Sequence, residues 1–237
     1  LRGRRTKAAG SVSSAWALGA GLLGKWRVLW RLTKSLRARL GLAKHRPERV
    51  FTLKTRLGNL SFRDNGADIA GLAGVRGGAY RWSKLDGGGM IIDAGAGIGL
   101  AGVWFAQHNP DKPVWCIEPD PAAAALLRRN CWQARTLVAA LGETKNTAVR
   151  TLDECAAEYG WGEVALLRVG AGRMAPGILR GGRKLLARTM RAAVETRGEE
   201  GHGDALAILR NAGFEIEEEF RGGESGTVFA ARKPATG

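Results

Sequence analysis

The stretch GGMIIDAGAGIGLAGVWFAQ, Gly88 to Gln107, places an acid and closely spaced glycines where an apolar strand gives way to an apolar helix. Met90 to Ile92 form the strand, Asp93 ends it, and glycines stand at 95, 97 and 99. Glycine lets the chain turn tightly and lets a ligand approach the backbone, and a helix N-terminus offers unpaired N–H groups. This is a nucleotide-type loop. A second apolar strand, PVWCIE, ends at Glu118, and Pro119 and Pro121 open the helix that follows. An acid at that tip can accept both vicinal hydroxyls of a ribose, so the expected ligand carries adenosine.

The glycine pattern also satisfies G-x-G-x-x-G from Gly97 to Gly102, with 21 residues from Gly97 to Glu118, a spacing that suits a dinucleotide fold. Asp93 separates the alternatives. An acid just before the glycine turn can hold a cationic, amino-acid-bearing ligand, but it would repel the pyrophosphate of a nicotinamide cofactor. S-adenosylmethionine is therefore favoured over NAD(P), with a ligand-free packing turn as the third reading. A further apolar run, LLRVGAGR from Leu166 to Arg173, enters glycines where such folds present a carboxylate, and has none.

The elements around these residues alternate as a doubly wound sheet requires. RVFTLKTRLGNLSFR predicts a hairpin around Leu57-Gly58-Asn59, followed by a short helix-like piece, ADIAGLAGV. LVAAL is read as a third strand. TLDECAAEYG is a helix with a Thr151/Glu154 capping box, which makes Asp153 a first-turn acid. VALLRVG is the fourth strand, PGILRGGRKLL a helix started by Pro176, TMRAAVET the fifth strand, and DALAILRNAGF a helix ending at Gly213. FEIEEEF and GTVFAARK close the chain as an antiparallel pair. The predicted fold is α/β, a doubly wound, Rossmann-like sheet of seven strands of the methyltransferase variant, with a basic N-terminal helical arm. Its expected divisions are a basic amphipathic arm over 1–48, a hairpin and substrate-side cap over 49–87, and the cofactor-binding domain over 88–237.

The net charge of +15 is concentrated in the first quarter of the sequence: residues 1–56 hold 15 Lys or Arg and the single acid Glu48, which leaves 22 basic against 21 acidic side chains elsewhere. From Lys25, the residues Trp26, Leu29, Trp30, Leu36 and Leu40 recur at helical steps, with Arg27, Arg31, Lys34 and Arg37 on other faces. Three readings stay open. The Trp/Leu stripe packs on the main domain, or it meets an anionic membrane surface, or the cations bind nucleic acid, which is the least favoured. The preceding apolar run, AWALGAGLLG, is too short for a membrane-spanning helix, which needs roughly 20 residues. It follows a basic start, as in a signal peptide, but lacks an A-x-A site and runs into further basic residues. Cys116, Cys131 and Cys155 are odd in number and dispersed, which argues against a disulfide framework and a zinc site and for a reducing, cytoplasmic setting; peripheral contact with an anionic membrane through residues 25–40 belongs to the second of the three readings.

Taken together, FRDNGADIAGLAGVRGGAY, IIDAGAGIGL, CIEPDP with Asn130 downstream, TLDE, LLRVGAGRMAPGILRGG and LRNAGFE resemble the FkbM-type family of S-adenosylmethionine-dependent methyltransferases, over roughly Val50 to Lys233. The resemblance implies methyl transfer to a hydroxyl on a sugar or other small acceptor. It implies that Asp93, Gly95, Ala96, Gly97, Gly99, Glu118 and Pro119 hold the cofactor; no metal ligands are expected. Arg63, Asp68 and Tyr80 would border the pocket and are the catalytic candidates; alternatively, Asp68 caps its short helix, Arg63 pairs with it and Tyr80 is core. The chain departs from the family in two places. ALGETKNTAVR replaces a longer strand-rich stretch. After the fourth strand, Gly170, Gly172 and Ala175 stand where relatives carry acids, and Arg168 stands for a lysine. A catalytically impaired, cofactor-binding homologue is the competing expectation. His108, late in its helix, is read as a surface histidine and not a substitute base.

Overall fold

The computed structural model describes residues 19–39, 42, 46–65, 67, 68, 71, 82 and 84–232. Tyr80 and most of ADIAGLAGV lie outside the described residues.

Helix α1 (Gly21–Arg39) precedes a hairpin of β1 (Arg46–Thr55) and β2 (Gly58–Asp64), whose turn falls at Arg56-Leu57, with Gly58 at φ 107°. The nucleotide half follows: β3 (Met90–Ala94), α2 (Leu100–His108), β4 (Val114–Ile117), α3 (Pro121–Asn130) and β5 (Arg135–Leu137). LVAAL does not form one strand. Its first residue ends β5, and Ala140–Leu141 (β6) pairs instead with Val149–Arg150 (β7) in a separate two-stranded piece.

Helix α4 (Leu152–Glu158) begins at the Thr151/Glu154 capping box, as the sequence predicts. Strand β8 (Val164–Gly172) runs beyond the predicted end. The predicted PGILRGGRKLL helix is two, α5 (Ala175–Arg180) and α6 (Arg183–Ala187). The break has a steric cause: a Cβ on Gly181 would lie 2.1 Å from the Gly142 carbonyl oxygen, so only glycine lets the two backbones meet there. Asp153, read from sequence as a first-turn acid, accepts the N–H groups of Lys184 and Leu185 at 3.0 and 2.8 Å, and thereby caps α6. Next come β9 (Arg191–Arg197), α7 (Glu199–Asn211), β10 (Glu215–Gly222) and β11 (Ser225–Ala231).

The main sheet has seven strands in the order β10-β11-β9-β8-β3-β4-β5, all parallel except β11, which is antiparallel to both neighbours. Chain order reverses between β3 and β8, which leaves a crevice beyond the carboxyl ends of those strands. Both faces are covered, and the central strands therefore read as continuous apolar runs. On one face, Ile91, Leu166 and Phe229 pack with α2, α3, the hairpin and Val28 of α1. On the other, Ile92, Leu167 and Val194 pack with α4 to α7. Asp93, Arg168 and Glu195 continue the first face toward the crevice, because side chains two apart on a strand share a face.

Candidate nucleotide site

The loop after β3 is built by glycines with distinct duties. Gly95, Gly97 and Gly99 all have positive φ (77°, 56° and 86°), the left-handed region that L side chains rarely enter. Gly95 and Ala96 donate their N–H groups to the Ile117 carbonyl at 2.9 and 3.0 Å, which ties the loop to β4. A Cβ on Gly95 would come within 3.0 Å of the Gly170 carbonyl oxygen, and one on Gly99 within 3.0 Å of Leu127. A Cβ on Gly97 would meet nothing within 4 Å. Packing accounts for its neighbours; Gly97 turns its bare Cα to open space, where a ligand can come close.

Glu118 fastens the loop from the next strand. Its Oε2 accepts the Gly97 N–H at 2.8 Å and its Oε1 the Asp120 N–H at 3.0 Å. Each carboxylate oxygen has a second lone pair, so these bonds orient the acid and leave acceptor capacity for hydroxyls. Pro119 lies between these two anchors. Asp120 caps α3 through the Ala122 N–H at 3.0 Å.

The substrate-side candidates are brought to the same turn. Arg63, at the end of β2, holds Asp68 through Nε and Nη2, both at 3.0 Å, and reaches Asp120 with Nη1 at 2.5 Å. Asp68 also accepts the Arg63 backbone N–H at 2.9 Å and is buried. These bonds push the Arg63 pKa up, and the Arg63 guanidinium holds the Asp120 carboxyl below its ordinary range. Asn130 makes a second tether: its Oδ1 accepts the Ser61 N–H at 2.7 Å, and its Nδ2 donates to the Ser61 and Ile98 carbonyls at 2.9 Å each. The hairpin is thus bonded to both the glycine loop and the Glu118 turn. His108 turns back on its own helix, with Nδ1 2.8 Å from the Trp104 carbonyl oxygen and its ring stacked on Trp104.

Asp93 is fully buried. Its Oδ1 accepts from Arg168 Nη1 at 2.6 Å, while its Oδ2 is buried with no hydrogen-bond partner. Burial pushes this carboxyl above its ordinary range, against the opposing pull of Arg168; the Glu195 charge adds to the rise.

The same arginine fills the space beside Gly170, the position at which the FkbM resemblance leads one to expect an acid. Arg168 extends along β8 over Gly170, so that a Cβ on Gly170 would lie 2.6 to 2.8 Å from its guanidinium. Its Nη2 meets Glu195 Oε1 at 2.6 Å. Glu195 lies on β9 beside the bulge at Gly170-Ala171, since Val169 pairs with Val194 and Gly172 with Thr196. The result is a row of Asp93, Arg168 and Glu195 across three strands, with the outer carboxylate 37% exposed. Glu195 stands one strand away from where the family pattern places its acid. The sequence pattern did not bring Glu195 to this point because strand adjacency is invisible in a linear pattern, although an acid near the carboxyl end of the fifth strand was the available signal.

No protein-family model and no curated protein matches the sequence. Among solved structures, the chain is similar to a precorrin-6y C5,15-methyltransferase from Geobacter metallireducens (14% identity, TM-score 0.49, covering 66% of this chain and 86% of that one). It is also similar to a fibrillarin pre-rRNA processing protein from Methanococcus jannaschii (14%, 0.49, 79% and 84%). A third is a TehB-like SAM-dependent methyltransferase from Corynebacterium glutamicum (21%, 0.43, 62% and 82%). The likeness is one of fold, which the strand order of this chain establishes by itself: a seven-stranded, Rossmann-like sheet with a reversed strand next to its edge.

Proposed function

We propose that the chain is an S-adenosylmethionine-dependent methyltransferase of the FkbM type, acting on a hydroxyl of a sugar or other small acceptor. The observation that carries this reading is the open position at Gly97, whose N–H is held by Glu118 at the end of β4, on a loop that begins just after Asp93, whose buried Oδ2 has no hydrogen-bond partner. S-adenosylmethionine fits these residues: Gly95 to Gly99 would lie against it, Glu118 would accept its ribose hydroxyls, and Asp93 Oδ2 would take a donor from its amino-acid end. When bound, it supplies a sulfonium methyl, a reactive centre with a good leaving group. The protein's task is then chiefly alignment, and a base helps where the acceptor is an alcohol.

Glu195 is the carboxylate for that task. Arg168 holds one of its oxygens and fixes its direction; its partial exposure leaves it accessible to an acceptor proton. A second reading, a cofactor-binding homologue with impaired turnover, draws support from Arg168 occupying the space over Gly170 and from Gly172, whose φ of 54° disfavours the long side chain of a glutamate.

The test is calorimetric titration with S-adenosylmethionine, S-adenosylhomocysteine and NADH, alongside Glu118→Ala. The first two are expected to bind and NADH to fail, with Glu118→Ala weakening binding tenfold or more, as a lost charged hydrogen-bond acceptor implies. Binding of NADH alone, or of none by a folded sample, would overturn the assignment. Glu195→Gln is expected to lower methyl transfer to a sugar-alcohol panel about 100-fold with S-adenosylhomocysteine affinity unchanged. Unchanged turnover would remove Glu195 from the chemistry, and absence of turnover in the parent chain would favour the impaired homologue.

A further inference from the structure

Helix α1 reaches the domain by the face opposite the one its apolar stripe suggests. Gly24 and Val28 are buried against β1: a Cβ on Gly24 would lie 2.9 Å from the Lys54 carbonyl oxygen, and Val28 is 0% exposed within the core that holds Leu53 and Phe62. The Ala20 N–H donates to the same Lys54 carbonyl at 3.2 Å, and Gly19 bridges Thr55. Further along, Arg31 lies 3.7 Å over the Phe51 ring, and Lys34 pairs with the buried Asp64. These contacts fix the rotation of the helix.

That rotation turns large apolar side chains outward. Leu22, Leu23, Trp26 and Trp30 are 74%, 78%, 61% and 59% exposed. At 3.6 residues per turn they fall within about 100° of one another, on the side away from Gly24 and Val28. Of the three readings of the Trp/Leu stripe, packing on the domain does not hold for Trp26 and Trp30. The reason is steric, because the small Gly24 and Val28 permit close approach to the hairpin, which the tryptophans would prevent. Arg27 and Arg37 are exposed beside the stripe, Arg49 and Val50 are exposed on β1, and the helix contains no acid.

We infer that this face of α1 docks on an anionic phospholipid surface, with Leu22, Leu23, Trp26 and Trp30 at the boundary of headgroups and acyl chains and the arginines on lipid phosphates. Charge selects the occupant: residues 1–56, with 15 Lys or Arg against one acid, favour a polyanion, and among polyanions a lipid surface also rewards the four exposed leucines and tryptophans. A nucleic acid backbone would use the cations and leave the leucines in water. No helix among the described residues is long and apolar enough to cross a membrane, so the contact is one of lying on the surface. The inference is independent of the methyl-transfer reading.

The experiment is sedimentation of the full chain with vesicles of phosphatidylcholine alone, or of phosphatidylcholine and phosphatidylglycerol in equal parts, with and without competing double-stranded DNA. Co-sedimentation with the anionic vesicles only, persisting under excess DNA, is expected. Trp26→Ser/Trp30→Ser should reduce partitioning at least tenfold, since each indole removes a large buried area. Arg27→Gln/Arg37→Gln should reduce it about 30-fold, at about 1 kcal/mol per cation near the surface. All four side chains are exposed, and unchanged far-UV circular dichroism would show that the variants fold. Failure to bind anionic vesicles, full displacement by DNA, or binding indifferent to the tryptophan change would each overturn the proposal.

Discussion

Gly170 is the residue at which sequence pattern and structure have most to say to each other. By pattern it is a lost acid; by geometry it is the gap that lets Arg168 lie along β8 and join Asp93 to Glu195. Returning the acid is therefore not a simple restoration. In Gly170→Asp, the new Cβ would displace the guanidinium, and the new carboxylate would compete with Asp93 and Glu195 for it. The single variant is expected to leave turnover no higher than the parent and to lose about 1–3 kcal/mol of stability, the usual cost of overpacking. Combined with Glu195→Gln, it should recover part of the lost turnover, because one carboxylate again stands at this point of the sheet. Single-turnover methyl transfer and urea denaturation of the two single variants and the double variant measure both effects. No recovery in the folded double variant would mean that the two positions are not interchangeable.

At the scale of elements, the recurrent device is a polar side chain of one segment that caps or tethers another. Asp153 belongs to α4 by sequence and to α6 by hydrogen bonding, which joins TLDE to the residues after GILRGG. Its substitution by alanine should cost about 1 kcal/mol, the value of an N-cap, read as a lower urea midpoint with no change in cofactor affinity. Asn130 does the same for α3, β2 and the glycine loop, and three backbone groups depend on it. The helix boundaries followed local signals where caps and prolines decide them, as at Thr151 and Pro121. They departed where a distant backbone intrudes, as Gly142 does at Gly181.

Across the whole molecule, the N-terminal hairpin and the nucleotide half are joined at the Arg63, Asp68 and Asp120 cluster. Asp120 is held below its ordinary value of 3.8, chiefly by its hydrogen bond to Arg63. A depressed carboxylate contributes stability that is fully present above its unfolded value and is lost as pH falls through the folded one. The acid unfolding of Asp120→Asn, which keeps an N-cap side chain, should therefore differ from that of the parent above pH 3.8, with the difference closing below it. Urea midpoints of both proteins across that range provide the check; a gap independent of pH would assign the effect to packing instead of charge.

The sequence alone determined the order and type of nearly every core element, because apolar periodicity, glycines at sharp turns and local caps act within a few residues. It also located the glycine loop, Glu118 and the concentration of charge in the first 56 residues. Only the tertiary structure decided which side of α1 is buried, since a helix with small residues on one face and tryptophans on another has two apolar faces to offer. It likewise decided that Arg63 spans to Asp120 and that Glu195 lies next to Gly170. Those relations join residues that are far apart in the chain, and they exist only once strands have chosen their neighbours.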